Sequence, residues 1–116
     1  MSSSRHNFTI EQGTTLMKPF IWKDSDGVPV DLTGYTAKMQ VRQSPQSGTV
    51  LLELSTTNGR ITLGGASGTI TLALIASTTA AINWRRGVYD IELTSGDGTV
   101  TRLIEGEIQV SKEVTR

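Results

Sequence analysis

The chain has 116 residues, enough for one domain and too few for two independent cores. Its 11 basic side chains balance 11 acidic ones, so it lacks the basic excess of a protein that grips nucleic acid through phosphates. Cysteine is absent, which excludes disulfide frameworks, thiolate metal sites and cysteine nucleophiles.

Residues 1–5 are small and polar and are expected to form a flexible arm. They contain no apolar stretch of the signal-peptide kind. The longest mainly apolar run, 72–76, is far below the about 20 residues needed to cross a bilayer. The expectation is a soluble chain folded in a reducing cytoplasm, with neither nucleic acid nor membrane as partner.

A single domain is expected over 6–111, followed by a polar tail at 112–116. A first strand is predicted at 6–12, with Phe8 and Ile10 inward. Gly13-Thr14-Thr15 turns the chain into a second strand at 16–23, where Leu16, Phe20 and Trp22 share a phase. Pro19 has no amide proton for a central ladder, so this strand is expected at an edge or with a bulge. Asp24-Ser25-Asp26-Gly27 reads as a tight turn, because Asp side chains bond nearby amides and Gly accepts positive φ.

Residues 28–32 lead into a strand at 35–42, in which Tyr35, Ala37, Met39 and Val41 alternate with Thr36, Lys38, Gln40 and Arg42. Period two means one buried and one wet face. Residues 49–55 form the next strand, with Val50, Leu52 and Leu54 inward. Asn58-Gly59 is the signature of a type I′ hairpin turn. Strands at 60–63 and 69–75 follow, joined by the flexible connector Gly64-Gly65-Ala66-Ser67-Gly68. One helical turn is predicted near 77–83, with Ser77 as its cap. Residues 87–94 and 99–111 form a final hairpin about Ser95-Gly96-Asp97-Gly98, with Ile104, Gly106, Ile108 and Val110 in phase. Gly106 marks a bulge or the close approach of another backbone. Seven to nine short strands at spacings of about 8–12 residues describe an all-β sandwich. A small closed barrel shares the pattern.

No constellation in the sequence points to catalysis or to a cofactor. His6 is the only histidine and has no cysteine beside which to ligate a metal. Asp24, Asp26 and Asp97 lack the remaining ligands of a calcium loop, and turn chemistry accounts for them. The glycine-rich 64–68 has neither the Lys-Ser/Thr nor the helix of a phosphate loop. Asp90, Glu92, Glu105 and Glu107 fall on wet phases and are expected to pair across strands with Arg102 or Lys38.

Protein interaction has better candidates. Trp84, Arg85 and Arg86 are of the residue types enriched at binding hot spots. Leu51, Ile75 and Leu103 are large apolar residues on phases that should face water, which fits a subunit contact.

The segments Gly13-Thr14-Thr15, Trp22-Lys23-Asp24-Ser25-Asp26-Gly27, Asp31-Leu32-Thr33-Gly34-Tyr35, Gly87-Val88-Tyr89-Asp90-Ile91-Glu92-Leu93 and Leu103-Ile104-Glu105-Gly106-Glu107-Ile108-Gln109-Val110 carry a resemblance. Together they resemble small virion proteins of tailed bacteriophages, including the N-terminal domain of upper baseplate proteins of lactococcal-type phages. The resemblance implies an immunoglobulin-like antiparallel β-sandwich without enzymatic activity. It implies a structural or connector role in the tail, baseplate, neck or fibre attachment of a virion. The partners would be other phage structural proteins, or further copies of the chain in a homo-oligomer. It carries over no functional residues, since the shared positions are turns and core. A capsid decoration protein, a small surface adhesin or carbohydrate-binding module, and a minor hydrolase are the competing expectations.

Overall fold

Alternating apolar and polar side chains give each strand one face that must leave water, and two such faces close on each other. In the computed structural model, which describes residues 4–115, the chain forms an all-β sandwich of this kind. Among the described residues the strands are β1 (Ser4–Arg5), β2 (Phe8–Glu11), β3 (Leu16–Ile21), β4 (Thr36–Arg42), β5 (Leu52–Ser55), β6 (Ile61–Leu63), β7 (Thr69–Leu74), β8 (Arg86–Thr94) and β9 (Val100–Ser111). A short helix, α1 (Ala76–Ala80), joins β7 to β8, and a 3-10 turn, Gly65–Ser67, joins β6 to β7. The large sheet runs β1-β9-β8-β4-β5, with β2 also on β9; the small sheet runs β3-β7-β6. This is the strand order of an immunoglobulin-type sandwich, in which B-E-D faces G-F-C-C′.

The core lies between the sheets. Ala37, Met39 and Val41 of β4, Ile91 and Leu93 of β8 and Ile108 of β9 meet Phe20 of β3, Ile61 of β6 and Ile70, Leu72 and Leu74 of β7. Leu32 and Ile82 close the ends from outside the strands. Pro19 lies on an edge strand, as its missing amide requires. Lys18 beside it points to the interior side but keeps its amine at the rim, 5.7 Å from the Phe20 ring centroid and 5.8 Å from that of Phe8. An inward charge and a proline together blunt this edge against pairing with another chain.

The structure departs from the sequence reading at several points. The sheets are antiparallel except at β1 and β2, which run parallel to β9. The reason is that Gly13-Thr14-Thr15 does not make a hairpin but carries the chain from the large sheet to the small one. Asn58-Gly59 also switches sheets, from β5 to β6. Only Gly59 takes positive φ there, at 79°, so the turn is not type I′. Asn58 instead uses its side chain, accepting from the amides of Ser55 (2.9 Å) and Arg60 (3.0 Å) and donating to the Glu53 carbonyl (3.1 Å). Residues 28–32, which lead into β4, contribute one isolated bridge, Pro29 with Lys23. The glycine-rich 64–68 is an ordered turn, with the Trp22 amide bonded to the Gly68 carbonyl at 2.9 Å.

The helical turn is present, but Ile75 and not Ser77 occupies its cap position, with no side-chain cap bond. Its anchor is Thr79, which is fully buried. The Thr79 hydroxyl donates to the Thr14 carbonyl at 2.7 Å and accepts from the Gly13 amide at 3.1 Å. Of the expected N-terminal arm, Ser4 and Arg5 pair with β9 as β1, and residues 1–3 lie outside the described residues.

One local arrangement ties the first strands to the sheet. Gly106 is the partner of Tyr89 across β8 and β9. With no side chain on Gly106, the His6 carbonyl turns inward to the place a Cβ would fill. The Tyr89 hydroxyl donates to that carbonyl at 2.6 Å. Having lost that backbone acceptor, the ladder takes a substitute: the Asn7 side-chain carbonyl accepts from the Glu107 amide at 2.9 Å. The close backbone approach expected at Gly106 is therefore present.

Burial pushes the Tyr89 phenol up to about 12 from its ordinary 10.0, with nearby Arg5 opposing the shift. Below pH 10 the phenol is neutral in folded and unfolded chains alike. Above it the unfolded chain ionises first, so the Tyr89 contribution to stability is lost as the pH rises through about 12. Thermal melts should therefore show Tyr89→Phe less stable than wild type at neutral pH. The gap should narrow between about pH 10 and 12, because the variant lacks this proton linkage. A gap that stays constant across that range would contradict the assignment.

Candidate protein-interaction site

Four of the six residues singled out in the sequence meet at one place. Leu51, Trp84, Arg85 and Arg86 line a depression of about 620 Å³, together with Gln43, Asn83, Gly87, Val88 and Glu107. The loop that follows α1 brings Trp84 to the end of the sandwich, where its ring packs half-buried against the core. Backbone bonds fix this segment: the Val110 amide donates to the Arg85 carbonyl at 2.8 Å, and Gln12 Nε2 donates to the Ile82 carbonyl at 3.0 Å. Leu51 reaches the same depression from the loop before β5, held by its amide on the Val41 carbonyl at 2.7 Å.

The two arginines differ. Arg86 pairs with Glu107 across β8 and β9 at 2.6 Å. Exposed as it is, this pair adds little to stability, but it gives the depression a defined polar wall. Arg85 is exposed and forms no ion pair among the described residues. The site thus offers an aromatic ring, an aliphatic side chain and an available guanidinium, the combination from which binding hot spots are built.

The other two candidates lie elsewhere. Ile75 is 67% exposed at the start of α1, continuing the outward row of β7. Leu103 is not on a wet phase at all: it is only 7% exposed. The register of β8 against β9 shifts between Ile91 and Glu92, whose partners are Ile104 and Arg102, so Leu103 is the extra residue of a bulge. The bulge reverses the in–out phase and sends both Leu103 and Ile104 inward. Gln43, Asn83 and Val88 are not singled out by the sequence. Of these only Val88 left a signal, an apolar residue on the wet phase of β8 that Asp90 and Glu92 share.

The outer face of the large sheet is a field of charge. Arg102 Nε lies 3.4 Å from Asp90, and Lys38 lies 3.5 Å from Glu53 rather than from its direct opposite, Glu92. The Gln40 amide and then Lys38 hold the Glu53 carboxyl below its usual range. The turn carboxylates are engaged locally. Asp24 accepts from the amides of Asp26 and Val28, and Asp97 accepts from Ser95 Oγ and the Thr99 amide. Asp31 accepts from the Thr33 hydroxyl and amide, which keeps its carboxyl below the usual range.

Comparison with known proteins finds no matching family model and no matching curated protein. The functional reading therefore rests on the residues themselves.

Proposed function

We propose that this protein is a non-enzymatic structural or connector subunit of a tailed-phage particle, working through protein–protein contacts. The observation that carries the reading is the convergence of Leu51, Trp84, Arg85 and Arg86 on one depression. The resemblance of the Asp31-Leu32-Thr33-Gly34-Tyr35 turn and of the β8 and β9 segments to phage virion proteins supplies the setting. Other virion proteins are the partners, and the particle is the location. The chemistry of the site suits a partner surface with an apolar knob and a carboxylate for Arg85.

Two measurements test this. Mass spectrometry of purified particles is expected to find the chain as a stoichiometric component. Binding to the structural proteins encoded beside its gene, read by interferometry, is expected to weaken at least about thirtyfold in Trp84→Ala and in Arg85→Glu, the loss typical of a hot spot. Absence from particles, or unchanged binding in both variants, refutes the reading. A carbohydrate-binding role is the second reading, favoured by the half-exposed Trp84 ring beside the amides of Asn83 and Gln43. Hits on a glycan array that Trp84→Ala removes would select it instead.

A further inference from the structure

An edge strand exposes a row of unpaired backbone groups, and β5 ends the large sheet. The Thr56 amide bonds to the Ala37 carbonyl at 3.0 Å, so the ladder bonds of β5 fall at Leu54 and Leu52, opposite Met39 and Val41. The backbone groups of Glu53 and Ser55 therefore point to the free side. The Asn58 carboxamide takes both. Its oxygen accepts from the Ser55 amide at 2.9 Å, and its nitrogen donates to the Glu53 carbonyl at 3.1 Å. One side chain thus bonds the edge as the peptide group of a neighbouring strand would. Arg60 Nη1 donates to the same Glu53 carbonyl at 3.0 Å, and the Arg60 amide donates to the Asn58 oxygen, also at 3.0 Å.

We infer that Asn58 is a site of spontaneous deamidation, kept unreactive by its seat on the β5 edge and released when the turn opens. The Gly59 backbone nitrogen attacks Asn58 Cγ. A bond from that nitrogen to Cγ forms as the Cγ–Nδ2 bond breaks, and Nδ2 leaves as ammonia with the proton given up by the Gly59 amide. Water then opens the cyclic imide by breaking one of its two bonds to nitrogen. Addition at Cγ gives aspartate, and addition at the backbone carbonyl carbon gives isoaspartate. Gly59 carries no side chain to crowd its nitrogen, nothing lies within 4 Å of where its Cβ would stand, and both residues are exposed to water.

Ring closure turns the face of the carboxamide toward the Gly59 nitrogen. Bonded at its oxygen and at its nitrogen, the group cannot turn without leaving Ser55 and Glu53. The Ser55 hydroxyl latches the same turn, accepting from the Asn58 amide at 3.0 Å. An exposed turn held by a few bonds opens without the sheets parting, so the rate of reaction follows how often it opens. The products do not regain the seat. Aspartate sets an oxygen against the Glu53 carbonyl in place of a donor, and isoaspartate lengthens the chain between β5 and β6. Either leaves that carbonyl to Arg60 alone. This chemistry is independent of the phage reading and of the Trp84 depression.

Peptide mapping by mass spectrometry tests it, on the full chain incubated in parallel in native buffer and in urea. Conversion of amide to acid at Asn58 is expected at least about tenfold faster in the unfolded chain. Asn7 and Asn83, followed by Phe8 and Trp84, are the internal references and are expected to lag far behind Asn58 in urea. Ser55→Ala removes the latch and is expected to speed native conversion at least about threefold while leaving the rate in urea unchanged. A thermal melt verifies that this variant is folded, and the wild-type comparison stands without it. Equal rates for native and unfolded wild type would overturn the inference. So would an Asn58 that reacts no faster than Asn7 and Asn83 in urea, or an unchanged native rate in folded Ser55→Ala.

Discussion

Gly106→Ala is expected to destabilise the protein by about 3 kcal/mol, lowering the thermal midpoint by about 10 °C. A Cβ on residue 106 would stand 1.9 Å from the His6 carbonyl oxygen and 2.7 Å from its carbon. Both are backbone atoms, so no rotamer change relieves the clash. Either β9 bends away from β8 or the first strands leave β9. The second route forfeits the Tyr89 hydroxyl bond to His6 and the Asn7 bond to Glu107. It also parts Phe8 from the Tyr89 ring, now edge-on at a centroid distance of 5.4 Å. Amide exchange should locate the damage, with faster exchange in β2 while β4 and β8 remain protected. An unchanged melting midpoint would show that β1 and β2 do not depend on the space at Gly106.

Leu103→Ala separates the sequence reading from the structure more sharply. On a wet phase, truncating Leu103 would change stability by no more than about 0.5 kcal/mol. Buried as the structure has it, against the side of the sandwich lined by Phe20, Trp22 and Ile104, the loss should be about 3 kcal/mol. Urea unfolding measures the difference directly, with the slope expected to stay constant while the midpoint falls. A near-neutral result would place Leu103 back on the outer face and remove the bulge with it.

The site was legible in part, and the reason is particular to each residue. Trp84, Arg85 and Arg86 stand out in the sequence because their types are enriched at binding hot spots, and the structure brings them together with Leu51. Leu51 is out of phase in the sequence, yet nothing in its own segment says which surface it joins. Gln43 and Asn83 were invisible, since a polar residue in a loop resembles every other. Leu103 failed because a bulge adds one residue without changing composition, and every phase counted through it is inverted.

Local chemistry alone determined that this is an all-β protein, where most strands run, which faces of β4, β7 and β8 are buried, and that Pro19 needs an edge or a bulge. Those properties follow from side-chain alternation and backbone geometry, which act between near neighbours in the chain. Tertiary structure decided which turns make hairpins and which change sheets, as the Asn58-Gly59 turn shows by joining β5 to β6. It also decided the parallel seating of β1 and β2, the bulge at Leu103 and the burial of Thr79. Each of these is set by what must be covered or bonded across the sandwich, and no window of local sequence contains both partners.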